Sequence, residues 1–300
     1  MNFFSYRKIN ITLLAILLAA VFFSGCSKST VQQSTSNMSE SATSGQQVSV
    51  KMLDIGQGDS ILIKTNQKTV LIDTGDVDQR DKLVALLKKE NVKTIDQLII
   101  THPHADHLGG AYAVLKNFIV KEVYDNGQST TTATYRTYLK LLKEKKIVYK
   151  QLSADDILDF GNEVKFKVFS PAKGSVNGDN LNNGSVVGKL SFGEFSMLFT
   201  GDAEAEVEKE LTQKYGKELQ STILKSPHHG SKTSSNRNYL KIVKPEAVLI
   251  SVGAGNDYKH PHQVTLNKYK DLKLKVYRTD LNGTITINTD GKTYQITSEK

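Results

Sequence analysis

Tryptophan is absent from this chain of 300 residues, and cysteine occurs once, at Cys26. A lone cysteine has no partner within the chain, which excludes an internal disulfide framework and cysteine metal ligands. No recognised nucleic-acid-binding module is present. The apolar segment ITLLAILLAAVFF, residues 11–23, is short for a comfortable bilayer span. What the chain does have is enough to fold: 38% hydrophobic and 23% charged residues are the proportions of a globular protein with a core.

Arg7 and Lys8 precede the apolar segment, and the small residues of SGC follow it, the pattern of a secretory signal. FFSGC resembles the lipobox of bacterial lipoproteins, with Phe23 where that motif prefers leucine. The resemblance implies cleavage before Cys26, a lipid on its thiol, export, and a place on the outer face of the cell membrane. The competing reading is an uncleaved signal anchor with a chance cysteine. Residues 27–47, rich in Ser, Thr and Gln, have almost nothing to bury and read as a flexible tether. The expected organisation is a signal peptide at 1–25, a lipidated cysteine and tether at 26–47, and one domain at 48–300. The formal charge of +8 falls to about +6 once the signal leaves. That excess suits a polyanionic partner such as nucleic acid or teichoic acid, and equally suits simple solubility.

From residue 48, VSVKMLDI, DSILIKT and KTVLIDTG read as three consecutive strands with turns between them. DQRDKLVALLKKE sets Leu83, Leu86 and Leu87 at helical spacing. QLII and VKEVYD read as strands, GGAYAVLKNF and TYRTYLKLLKEKK as helices. The second half repeats the scheme. VKFKVFSP, SVVGKLSF, FSMLFTGD, STILKSP, AVLISVG, KVYRTD, GTITINT and KTYQITS are strands; AEAEVEKELTQKYG and a stretch near VTLNKYKDL are helices. Interleaving of this kind predicts an α/β (α+β) domain, sheets covered by helices.

The 7 histidines fall in three places and nowhere else: His102, His104 and His107; His228 and His229; His260 and His262. His102 and His104 alternate, so on an extended loop they project to one side. Imidazole and carboxylate are ligands of zinc and similar ions, and THPHADHLGG supplies both types in one loop after a buried strand.

HPHADH matches the H-x-H-x-D-H signature of the metallo-β-lactamase fold, and DTG at 73–75, TGD at 200–202 and PHHGS at 227–231 follow the family order. MLDIGQGDSILI, NNGSVV, FTGD, LKSPHHGSKTS, NDYKHP and RTDLNGTI narrow the likeness. Over residues 48–300 the chain resembles the C-terminal domain of ComEC, the bacterial DNA-uptake protein. A relative with the same fold, the pneumococcal phosphorylcholine esterase, cleaves a phosphodiester on teichoic acid. The resemblance implies an αββα sandwich of two mixed sheets flanked by helices, and two divalent ions, zinc or manganese. It implies His102, His104 and Asp202 around one ion, and Asp106, His107, Asp202 and one of His228 or His229 around the other. Asp106, Asp202 and His260 become the candidate catalytic groups. Asp73 would orient a ligand histidine through its ring N–H.

The chain departs from many members of the fold in having no histidine between His107 and Asp202. GDNLNNGSVV lies there instead, offering Asp179, Asn182, Asn183 and Ser185. Either the first site keeps open positions for water or substrate, or only one ion binds firmly. Asn182, Asn183, Ser231, Lys232 and Tyr258 are candidates for substrate contact. Gly56 and Gly58 in DIGQGDS read as a tight turn that leaves Asp59 at the site edge. Two divalent ions lower the pKa of water and clamp the oxygens of an in-line displacement, so a phosphodiester is the expected substrate, DNA ahead of teichoic acid. β-Lactam hydrolysis fits the departures poorly. A binding lipoprotein that keeps the metal without turnover is the alternative from another class; protein partners are unspecified.

Overall fold

The computed structural model describes residues 47–176 and 180–300. The expected signal peptide, Cys26, the tether up to residue 46, and Asp179 lie outside the described residues. Residues 44–300 form one compact unit.

Six strands begin the first sheet: β1 (Val48–Met52), β2 (Ile61–Lys64), β3 (Thr69–Ile72), β4 (Thr94–Ile100), β5 (Ile119–Asp125) and β6 (Val148–Gln151). Seven make the second: β7 (Ile157–Asp159), β8 (Lys165–Ser170), β9 (Val187–Phe192), β10 (Phe195–Phe199), β11 (Ile223–Lys225), β12 (Ala247–Ile250) and β13 (Lys275–Arg278). β14 (Ile285–Thr289) and β15 (Tyr294–Ser298) then return to the first sheet. The spatial orders are β15-β14-β1-β2-β3-β4-β5-β6 and β13-β12-β11-β10-β9-β8-β7. Both sheets are mixed. β3 to β6 and β10 to β13 run parallel, and the remaining pairs are antiparallel.

Three hydrophobic clusters separate four layers. Met52, Ile63, Ile72, Phe160, Phe166, Met197, Phe199 and Leu249 pack between the sheets. Leu83, Leu87, Leu108, Val114, Tyr138 and Leu141 seat helices on the first sheet's outer face, and Val207, Leu211, Tyr239, Leu240 and Tyr269 do so on the second. The result is the expected αββα sandwich.

The helices run at Arg80–Lys89, Ala105–Leu108, Ala111–Asn117, Ala133–Glu144, Ala205–Tyr215, Arg237–Val243, Gln263–Asp271 and Thr279–Asn282. Two short strands, β6 and β7, and the helix Arg237–Val243 carry no expectation from sequence, and the expected strand KVYRTD stops at Arg278, where the helix Thr279–Asn282 begins. β6 and β7 are edge strands with mostly exposed residues, so they lack the apolar alternation that marks a strand. The parallel strands of both sheets end at the same pole, since the residues after β4 meet those after β10 and β11 there. That pole gathers the loops carrying the histidines.

Candidate metal centre

β4 delivers Thr101 and His102, and the chain turns at His104 into the helix Ala105–Leu108. Beyond that helix Gly110 packs the chain against the end of β3, where a Cβ would sit 2.1 Å from the Thr74 carbonyl oxygen. β10 ends into Thr200, Gly201 and Asp202, and β11 into Ser226–His229. His228 and His229 both adopt left-handed backbone angles, φ 49° and 51°. The two adjacent rings still diverge, with planes 69° apart.

Four side chains from the two sheets converge: Asp106, His107, Asp202 and His229 offer donor atoms all within 4.8 Å of one another. His107 Nε2 lies 3.3 Å from Asp202 Oδ2 and 3.8 Å from Asp106 Oδ2. His229 Nε2 lies 3.4 Å from Asp202 Oδ2 and 3.2 Å from Asp106 Oδ2. Both Nε2 atoms and Asp202 Oδ1 are buried without a hydrogen-bond partner. Buried polar atoms are ordinarily satisfied, so three orphaned atoms within one cluster mark a place for a ligand. Nitrogen and carboxylate oxygen donors in this number suit a divalent cation.

The far sides of both rings are fixed. His107 Nδ1 donates to Asp73 Oδ2 at 2.8 Å, and Asp73 in turn accepts the Thr101 amide at 2.7 Å and its hydroxyl at 2.8 Å. His229 Nδ1 donates to the Ser251 carbonyl at 2.8 Å. Each bond places a proton on Nδ1 and turns Nε2 toward the cluster, where it can carry either a second proton or a metal. Burial works against protonating His107 and His229, yet Asp202 and Asp106 outweigh it, and His229 is carried up to about 10. Burial likewise opposes the charge on Asp202, and His229 and His107 hold its carboxyl well below the usual range. The cluster is built to hold positive charge, and a metal ion takes the place of those protons when ligands bind it.

Beside this group, His102 Nε2 meets His104 Nδ1 at 2.9 Å and lies 4.0 Å from Asp202 Oδ2. Burial, followed by His107, pushes the His102 imidazole well below its usual value, so it is neutral. Ser185 faces it, with Oγ 3.3 Å from His102 Nδ1, and the same Oγ accepts the Asp202 amide at 3.0 Å. Ser185 thus stands in the interval that lacks a histidine.

His228 sits at the wall. Its Nε2 is 3.8 Å from Asp202 Oδ2, while Nδ1 is engaged by Thr233 Oγ1 at 3.1 Å and lies 3.4 Å from Glu204 Oε1. The His260 ring stacks over His229 with centroids 6.2 Å apart, its Nδ1 buried and unpartnered. Tyr258 is 62% exposed and stacks on His260 at 5.7 Å; Asp106 and partial burial push its phenol up. The Ser231 hydroxyl accepts from the Thr233 amide and hydroxyl. Lys232 is exposed, and its amide donates to His262 Nδ1 at 3.1 Å. Asn183 is occupied locally, donating to Glu206 at 2.6 Å and accepting the Glu204 amide at 3.1 Å. The side-chain oxygen of Asn182 is buried without a partner.

One expectation is corrected. Asp59 does not stand at the edge of the site but is enclosed beneath it, 1% exposed. Gly58, at φ +111°, brings the loop so close that a Cβ would fall 2.2 Å from the Asp106 carbonyl oxygen. The Asp59 amide donates to that carbonyl at 3.1 Å, and its side chain pairs with the buried Lys225 at 2.8 Å. Lys225, Thr101, Ser251 and Glu204 went unnoticed in the sequence. Only the position of Lys225 two residues before PHHGS could have drawn attention to it.

This fold and this cluster define a metal-site hydrolase. The chain belongs to the metallo-beta-lactamase superfamily, whose profile matches residues 53–254. It is 32% identical over 254 residues to ComE operon protein 3 of Bacillus subtilis and 31% identical over 240 residues to competence protein ComA of Neisseria gonorrhoeae. Those matches take in 79% and 80% of this chain and 32% of each relative, so the chain spans about a third of the length of the curated relatives it matches. Both are ComEC-like competence proteins, as the sequence motifs anticipated. Among solved structures, the diiron β-hydroxylase CmlA of Streptomyces venezuelae superposes with a TM-score of 0.53 at 15% identity, covering 81% of this chain and 54% of that one. The metallo-beta-lactamase fold protein YhfI of Bacillus subtilis gives 0.50 at 13% identity, covering 77% and 96%. These two likenesses support the fold alone.

Proposed function

We propose that this chain is a metal-dependent phosphodiesterase acting on nucleic acid, DNA first, and held at the outer face of a cell membrane through a lipid on Cys26. The observation that carries the chemistry is the convergence of Asp106, His107, Asp202 and His229, in which His107 Nε2, His229 Nε2 and Asp202 Oδ1 are buried and unpartnered. In this reading Asp106, His107, Asp202 and His229 hold one divalent ion, zinc or manganese. His102 and His104, with Asp202, hold a second. Bound there, such ions offset charge on a phosphoryl group and acidify water.

The protein's own contribution is orientation. Asp73 and the Ser251 carbonyl fix the tautomers of His107 and His229, and Ser185 positions both His102 and the Asp202 backbone. His229 is the ligand of its pair, because its Nε2 lies 3.2 Å from Asp106 and 3.4 Å from Asp202, whereas His228 Nε2 stands 3.8 Å from Asp202 at the wall. His260 and Tyr258 overhang the cluster and are placed to meet a substrate phosphate or hand a proton to the leaving oxygen. Lys232, exposed on the next loop, adds a cation for a polyanion. The ComEC-like relatives favour DNA over a cell-wall phosphodiester.

The test uses protein beginning at Ser27, stripped of metal and reloaded with zinc or manganese. Hydrolysis of a chromogenic phosphodiester is followed beside an Asp202→Asn variant, with metal binding measured by calorimetry. Turnover that requires metal and falls at least about a hundredfold in the variant is expected. Single-stranded DNA and teichoic acid then compete as inhibitors to decide the substrate. Firm metal binding with no turnover under either ion would sink the enzyme reading and leave a metal-binding lipoprotein.

A further inference from the structure

The pole opposite the metal centre carries a hollow of about 630 Å³ whose lining includes Lys88, Lys93, Lys116, Lys145, Phe118 and Ile119. All four lysines are exposed, and none takes part in an ion pair among the described residues. The nearby acids are committed elsewhere: Glu90 to Lys51 at 2.7 Å, and Glu144 to Lys140 at 3.7 Å. Ile119, amid these cations, is 65% exposed. Helix C-termini attract lysines by their dipoles, and Lys88, Lys116 and Lys145 each stand at one. That account does not reach Lys93, in the loop entering β4, or the bare isoleucine.

A second observation comes from topology. β1 pairs antiparallel with β2, β2 antiparallel with β3, and β3 parallel with β4, so β1 starts at the pole where β4 starts. Ser49 lies opposite Lys64, whose Nζ donates to the Glu90 carbonyl at 2.9 Å, two residues beyond Lys88. The start of β1 at Val48 therefore lies at the same pole as the lysine hollow. The metal centre lies past the other end of β4, about 20 Å away for seven residues.

We propose that this lysine pole docks on a bilayer surface rich in anionic phospholipid, with the four lysines over headgroup phosphates and Ile119 in the interface. The proposal rests on the lipid-tether reading and deepens it. A lipid plus a basic patch is a two-signal anchor, firmer than a single chain. It also orients the body, turning the metal centre away from the membrane.

The test uses unlipidated protein from Ser27, which retains the whole compact unit of residues 44–300, sedimented with vesicles. Partition onto phosphatidylglycerol/phosphatidylcholine vesicles is expected to exceed that onto pure phosphatidylcholine at least about tenfold, and to weaken at high salt. The quadruple variant Lys88→Gln, Lys93→Gln, Lys116→Gln, Lys145→Gln is expected to lose that margin, with melting temperature and phosphodiester turnover unchanged. The pair Lys88→Gln, Lys93→Gln should fall between, which keeps the result readable if the quadruple variant folds poorly. Equal binding to both vesicle types, or no effect of the lysines, overturns the proposal. So does duplex DNA binding through these lysines without vesicle binding. The tether is judged separately, by the mass of the Cys26 peptide from membranes; an unmodified thiol there refutes the lipid and leaves the vesicle result standing.

Discussion

Lys225 is a cation shut away from water, and its surroundings account for it fully. Nζ pairs with Asp59 Oδ2 at 2.8 Å and donates to the Ser226 carbonyl at 2.8 Å. Asp59 in turn lies 3.4 Å from His229 Nδ1 through its other oxygen and binds the Asp106 carbonyl through its amide. One ion pair thus ties the loop between β1 and β2 to the end of β11, bridging the two sheets under the metal centre. Removing only one member of a buried pair leaves the other charge uncompensated. Lys225→Met is therefore expected to cost about 3–5 kcal/mol in urea unfolding, and adding Asp59→Asn should recover most of it. A single-variant cost under about 1 kcal/mol would refute the bracing role. The sequence displayed the residues whose type announces chemistry, the clustered histidines and the aspartates at strand ends. It did not display this pair, because a buried lysine looks like any other until its distant partner is known. It also left His228 and His229 equivalent. What separates them is the reach of Nε2, which in His229 meets both Asp106 and Asp202 and in His228 stands 3.8 Å from Asp202 at the wall.

Among elements, the parallel core strands were legible from their apolar runs bounded by turns, such as QLII in β4 and AVLI in β12. The edge strands β6 and β7 were not, since their residues face water. Nothing in local sequence says which strands pair, and here charges contribute to that choice. Asp96 on β4 accepts the Thr69 amide of β3 at 2.8 Å and pairs with Lys121 of β5 at 2.7 Å, clipping three strands. Burial raises the Asp96 carboxyl, but the Lys121 bond and the Thr69 amide outweigh it and hold it below the ordinary 3.8. A depressed carboxylate stabilises the fold above its unfolded value, and that stability is lost as pH falls through the folded one. Asp96→Asn is expected to cost about 0.5–1.5 kcal/mol at pH 7, with the difference from wild type closing below about pH 4. Chemical melts across that range would show it; a difference that stays constant with pH would exclude the charge as its source.

For the whole molecule, the decisive feature is that neither sheet owns the metal centre. His102, His104, Asp106 and His107 hang from the first sheet, Asp202 and His229 from the second, and the cluster bridges the sandwich above its core. An ion bound there ties the two sheets as well as serving chemistry, and the unfolded chain cannot present these donors together. Stability should then follow free metal by mass action, rising about 1.4 kcal/mol for each tenfold increase above the dissociation constant. Thermal melts of protein from Ser27 are expected to shift upward with zinc or manganese and to fall back on chelation. Asp202→Asn should remove most of that metal-dependent increment, because Asp202 reaches toward both histidine groups. Lys232→Ala, at the mouth, should leave the increment intact while weakening a polyanionic inhibitor. A melt indifferent to metal in wild type would mean that the buried, unpartnered donors are not a cation site, and the proposed chemistry would fall with it.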